Sequence, residues 1–121
     1  MDEAEELIDE IKRKKGYIHA WQGFLAHEDI DFVKAHNQLY DLALLRESML
    51  SMKVRELVLI GVLSAIGDEL ALRPHIRRAF ELGAQKAEII GAIETAMLPC
   101  GTLALVHGLK VLEEVLNDAG N

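Results

Sequence analysis

The sequence predicts an all-helical fold, and three features predict it. Apolar residues recur three and four positions apart through nearly the whole of the 121 residues. Only two prolines, Pro74 and Pro99, interrupt that pattern. The breaks in it fall at residues that start or stop helices, among them Gly16, Asp29, Ser51, Gly67, Gly83, Gly101 and Thr102. A chain of this length has room for one domain and one core. The expected architecture is therefore a six- to seven-helix bundle, all-α, forming a single domain over residues 1–121.

The first helix is expected over about 3–15, with Leu7, Ile8 and Ile11 on one stripe and Gly16 as its stop. Acidic residues Asp2 to Glu10 precede Lys12-Arg13-Lys14-Lys15, the charge order that complements a helix dipole. Tyr17, Trp21, Phe24 and Leu25 give a short aromatic-rich helix ending near His27. Asp29 or Asp31 caps a third helix with Phe32, Val33, Leu39, Leu42 and Leu45 turned inward. Ser51 caps a fourth, about 52–66, which is apolar nearly all round and is placed at the centre of the bundle. After a break at Gly67-Asp68, a fifth helix ends at Gly83, and Pro74 is best placed in its first turn, with a start near Arg73. A sixth runs from Gln85 to Leu98, broken by Pro99 and Gly101. Thr102 caps the seventh, about 103–118, with Leu105, Val106, Leu109, Leu112, Val115 and Leu116 inward.

Composition narrows the function classes. The formal net charge is −7 with no basic stripe, which argues against nucleic acid as a partner, since duplex binding rests on phosphate neutralisation. No apolar stretch has the roughly 20 residues needed to span a bilayer, and the acidic N-terminus lacks a signal-peptide pattern, so a cytoplasmic protein with no membrane partner is expected. Half the residues are apolar, high for a domain that buries only about two-thirds of its chain surface. Part of that apolar surface is thus expected to be covered by other subunits. Cys100 is the one cysteine, which rules out an internal disulfide cycle and a cysteine zinc site; no metal or other cofactor is expected. In its bland reading Cys100 is a small core residue.

Glu56 stands out because it lies in the most apolar helix, on a face shared with Ile60 and Leu63. A buried carboxylate must find a partner or take up a proton. The bland partners are Arg55 and Lys53; the other candidate is His75, in Arg73-Pro74-His75-Ile76-Arg77-Arg78. From Glu56 the fourth helix runs about 15 Å, and an antiparallel fifth helix regains about 10 Å by His75, which puts the two within one pocket's width. Asp68 and Glu69, at the intervening break, are candidate partners of His75 or plain helix caps. Tyr17 and Trp21 are core residues or walls of a pocket.

Four pieces in order carry a resemblance: Leu50-Ser51-Met52-Lys53-Val54-Arg55-Glu56-Leu57, then Leu72-Arg73-Pro74-His75-Ile76-Arg77-Arg78-Ala79, then Leu82-Gly83-Ala84 with Ala87-Glu88-Ile89-Ile90, then Pro99-Cys100-Gly101. This resembles the carboxymuconolactone decarboxylase family, which includes the alkylhydroperoxidase D-like proteins. The resemblance spans about 29–118, after N-terminal helices over 1–28, and implies an all-helical homo-oligomer, a trimer or hexamer. In the peroxidase branch a Glu precedes a Cys-x-x-Cys pair, and a His follows four residues later. Glu56 and His75 match the outer members, whereas Asp68 and Ala71 stand where the cysteines would be. The resemblance therefore implies decarboxylation of a small-molecule carboxylate, a lactone acid from aromatic degradation. Glu56 and His75 would be catalytic; Arg73, Arg77 or Arg78 would hold the substrate carboxylate, with Asp68 and Glu69 beside them. An alkylhydroperoxidase or peroxiredoxin-like antioxidant activity is the alternative from the redox class, and a non-catalytic oligomeric binding protein is the third.

The apolar excess generates one expectation of its own. Equilibrium sedimentation at micromolar concentration should give a mass well above the 13.5 kDa of one chain; a monomer at every concentration would contradict it.

Overall fold

A computed structural model describes residues 2–120, and among these there are seven helices and no strand. They group into two compact units, residues 1–46 and 47–121. The first contains α1 (Glu3–Lys15), α2 (Ala20–Glu28) and α3 (Ile30–Tyr40), with a wide π-type turn, Asp41–Leu45, continuing α3. The second contains α4 (Met52–Ile66), α5 (Glu69–Glu81), α6 (Lys86–Cys100) and α7 (Leu103–Gly120).

In the first unit the helix ends follow from local chemistry. The Asp2 carboxylate accepts from the Glu5 backbone N–H at 2.8 Å and the Glu5 carboxylate accepts from that of Asp2 at 3.2 Å, a reciprocal box that satisfies two donors left unpaired at a helix start. Asp29, of the two candidates, caps α3 by accepting from Phe32 N–H at 3.3 Å. Ala4, Leu7, Ile11, Ala26 and Val33 form the core of this unit. Lys15 is buried with its stem, and its ammonium lies 3.6 Å from the centre of the Tyr40 ring. Burial pushes its pKa below the ordinary lysine value, while the charge of Asp41 works against that shift. Of the residues expected to face inward here, Val33 is fully buried, whereas Phe32, Leu39 and Leu42 are exposed. With α2 starting at Ala20, Tyr17 precedes it, and Trp21 and Phe24 are exposed.

In the second unit α4 packs against α5, α6 and α7, so it is the central helix of that unit. Ser51 Oγ accepts from Val54 N–H at 3.2 Å to start it, and Gly67, at φ +78°, ends it in a conformation that side chains resist. The core is Ile60, Leu72, Ile76, Ala79, Ala84, Ile89, Ile93, Val111, Leu112 and Val115. Burying each large aliphatic side chain there contributes roughly 1.5–3 kcal/mol. The all-round apolar character of α4 resolves into two faces. Ile60 is buried, while Val54, Val58, Val62 and Ile66, four apart, form an exposed stripe along α4. On α7 the buried set is Ala104, Val111, Leu112 and Val115, and the expected inward residues Val106, Leu109 and Leu116 are exposed.

Both prolines sit inside helices, against the expectation that they bound them. Helix α5 starts at Glu69, because Asp68 caps it, and Pro74 is its sixth residue. Helix α6 runs past Pro99 to Cys100 and stops at Gly101. The missing proline N–H groups would have bonded the carbonyls of Leu70 and Thr95, both exposed residues whose carbonyls water can serve instead. Cys100 is exposed at the end of α6 and is no part of the core.

At Gly108, α7 packs closely on side chains of α4 and α6. A Cβ there would meet Ser64 Oγ at 2.5 Å and Ile93 Cγ2 at 2.8 Å, and Ser64 Oγ is itself held by donating to the Ile60 carbonyl at 2.7 Å. Alanine gains about 1 kcal/mol of helix propensity over glycine, whereas overpacking a filled core costs about 1–3 kcal/mol. Gly108→Ala should therefore lower stability in urea unfolding, and a stabilised variant would contradict this packing.

Candidate functional site

The site residue fixed by the core is Glu56. It is the fifth residue of α4, one turn before the fully buried Ile60, so the same face that builds the core carries the carboxylate inside. Glu56 is 1% exposed. His75 lies on α5, next to the buried Ile76, and is 6% exposed. The two helices bring Glu56 Oε2 to 2.7 Å from His75 Nδ1, across nineteen residues of chain. With the carboxylate ionised, Nδ1–H is the donor, and this contact gives the buried oxygen its partner.

The bland partners for Glu56 are thereby excluded, since Lys53 Nζ pairs with Glu88 at 3.0 Å and Arg55 Nε donates to the Leu50 carbonyl at 3.0 Å. Arg55, adjacent to Glu56 along the chain, projects from another face of α4, whereas Lys53, three residues before Glu56, is drawn to Glu88 on α6 instead.

Two of the three arginines on α5 are engaged elsewhere. Arg73 pairs with Glu114 and, at 3.5 Å, with Asp118, and Arg77 pairs with Asp118 at 3.4 Å. They are four residues apart and so share the face of α5 that meets α7. Arg78 stands three residues after His75, on the same side of the helix as that imidazole. Its Nε is 4.0 Å from Glu56 Oε1.

Of the two readings for Asp68 and Glu69, pairing with His75 is not seen for either, and capping holds for Asp68. The Asp68 carboxylate accepts from Ala71 N–H at 3.1 Å, and so caps α5. Glu69 Oε2 lies 2.7 Å from His107 Nδ1, while Lys110 Nζ donates to Glu69 Oε1 at 2.9 Å. Sequence reasoning missed this second carboxylate–imidazole pair, because Glu69 and His107 are 38 residues apart on different helices. One local signal did exist. Gly67 leaves room for the His107 ring, whose Nε2 would lie 3.1 Å from a Cβ at that position. Trp21 and Tyr17 stack edge-to-face on His36 and His19 within the first unit.

Two surface depressions of the second unit lie away from the pair. One of about 540 Å³ is lined by Arg77, Phe80, Glu81, Val115, Leu116, Asp118 and Ala119. The other, about 330 Å³, lies between α4 and α6 along Val54, Val58 and Val62. Among the described residues no group of three or more His, Cys, Asp or Glu is placed to hold a metal ion, and no helix is long and apolar enough to cross a membrane.

The hydrogen bond from Lys110, then the contact with His107, hold the Glu69 carboxyl below its ordinary value of 4.5, with burial opposing. A depressed carboxylate stabilises the fold at pH above its unfolded value and loses that contribution as pH falls through its folded value. On the acid side of 4.5 the melting temperature should thus fall less steeply in Glu69→Gln than in the parent chain. Parallel curves would mean that this cluster is not linked to folding.

Comparison with known proteins places the chain among relatives. The profile of the carboxymuconolactone decarboxylase family matches residues 31–114, more than half of the chain. An uncharacterized protein of Methanocaldococcus jannaschii is 31% identical over 67 residues, covering 54% of this chain and 64% of the relative. The match thus spans a little under two thirds of that protein's length. No solved structure matches.

Proposed function

Because the chain belongs to the carboxymuconolactone decarboxylase family, we propose that it removes carbon dioxide from a small lactone acid, with Glu56 and His75 as the acid–base pair. The observation that supports this reading is the 2.7 Å contact between the Glu56 carboxylate and His75 Nδ1 in a nearly dry setting. A carboxylate on one ring nitrogen fixes the orientation of the imidazole and leaves the other nitrogen to face the substrate, which makes it a positioned acid–base group. In the reaction the bond between carbon and the substrate carboxylate breaks and carbon dioxide leaves. The electron pair stays on carbon, conjugated with the lactone carbonyl. The imidazolium then returns a proton to that carbon through the ring nitrogen that does not face Glu56, and Glu56 holds the ring throughout.

The redox alternative has less behind it. Positions 68 and 71, where the peroxidase branch carries its cysteines, hold Asp68 and Ala71, joined as a helix cap. Neither can serve as a thiolate nucleophile or resolve one. As part of the same reading, the active form is a homo-oligomer, trimer or hexamer, whose contacts cover the exposed stripe Val54, Val58, Val62 and Ile66.

A second reading is favoured by one observation, the near-complete burial of the pair. In it the Glu56–His75 contact only fastens α4 to α5, and the protein is a non-catalytic binding scaffold. Glu56→Gln separates the two, because the amide keeps the shape and an acceptor for Nδ1–H but loses the charge. With γ-carboxymuconolactone as substrate, the decarboxylase reading expects turnover to fall by about 10²–10⁴-fold with fold and assembly kept. If the only effect is a lower melting temperature, the scaffold reading stands and the enzymatic one fails.

A further inference from the structure

We propose that Arg78 is the residue that receives the carboxylate of the substrate, in place of Arg73 and Arg77; the assignment rests on the decarboxylase reading above. The three arginines differ in how much of their charge is already committed. Arg73 faces two carboxylates of α7, Glu114 and Asp118, and Arg77 faces Asp118. Binding an anion there would require breaking an existing ion pair. Arg78 has one carboxylate near it, Glu56, at 4.0 Å from Nε, beyond hydrogen-bond distance. Among the described residues its guanidinium makes no hydrogen bond. A guanidinium presents five N–H donors in a planar fork that matches a carboxylate with two parallel hydrogen bonds.

Its position fits the role. The Arg78 side chain is 28% exposed, whereas Glu56 and His75 are buried. It therefore reaches from solvent to the buried pair, and an anion held on its outer edge lies on the side of α5 that carries His75. Since Glu56 sits beside the same guanidinium, a bound carboxylate faces a like charge there. That repulsion is smaller after loss of carbon dioxide, so the arrangement disfavours the substrate more than the product. The ligand class is a compact organic anion with a carboxylate at its end, and a neutral amide of the same shape is rejected.

Succinate, with succinamide as its uncharged counterpart, serves as the probe, followed by NMR at the Arg78 Nε–H and the His75 ring. The parent chain should show saturable shifts with succinate and none with succinamide. Arg78→Gln should weaken succinate binding tenfold or more, Arg78→Lys should weaken it less, and Arg77→Gln should stay within twofold. The last variant removes the same charge from the same helix, so it separates a local contact from net charge. Circular dichroism of each variant guards against unfolding, and Arg78→Lys keeps a cation beside Glu56 if the glutamine variant does not fold. The proposal is overturned if no saturable shift occurs, if succinamide binds as well, or if Arg77→Gln weakens binding as much as Arg78→Gln. Because binding is read without turnover, it can stand when Glu56→Gln leaves decarboxylation intact, and it can fail when that variant abolishes decarboxylation.

Discussion

The arrangement of α4 and α5 depends on one constraint: a carboxylate placed inside an apolar core must be paired there. Removing one partner from such a buried pair costs about 3–5 kcal/mol, a large share of the stability of a small domain. Glu56 meets that constraint through His75. The pairing sets the register of the two helices, since a shift of either by one residue turns the side chain through about 100° and breaks the contact. The rest of the second unit follows. With α4 and α5 in register, Ile60, Leu72 and Ile76 share one core, and α6 and α7 close over it with Ile89, Ile93, Val111 and Leu112.

Around that pair, charge is sorted by helix face. Arg73 and Arg77 fasten α5 to α7 through Glu114 and Asp118, and Glu69 fastens the start of α5 to α7 through His107 and Lys110. These contacts are partly or fully exposed, so each contributes little alone. Their effect is to occupy the cations on one side of α5 and leave a different one, Arg78, beside the buried carboxylate. A helix with three arginines thus has two kinds of arginine, distinguished by what the neighbouring helix offers them.

Much of this was legible in the sequence. Helix existence and the caps Asp29, Ser51 and Asp68 follow from local rules that act over three or four residues, and the structure shows each. The approach of Glu56 to His75 was legible too, because one turn joins their helices and the rise per residue fixes the return. The errors have common causes. Periodicity alone does not say which of two apolar faces points inward, which is why Phe32, Leu42, Val106 and Leu109 were assigned to the core. Proline rules describe what a missing N–H costs in a dry interior, and at Pro74 and Pro99 the affected carbonyls belong to exposed residues. Partners supplied by α7, thirty to forty-five residues away, left no trace in the local sequence around Arg73, Arg77 or Glu69.

The first turn of α5 bears on how the two branches of the family differ. Asp68 and Ala71 lie seven and four residues before His75, on the same side of the helix, and a single hydrogen bond between them starts α5. Replacing Asp68 by cysteine would remove that bond, and losing an N-cap costs about 0.5–2 kcal/mol. The same thiol, at a helix N-terminus, would ionise more readily. A thiol chemistry and a firmly anchored helix start are therefore alternative uses of one position, and a lineage that moves between them exchanges reactivity for rigidity without altering Glu56, His75 or the core beneath them.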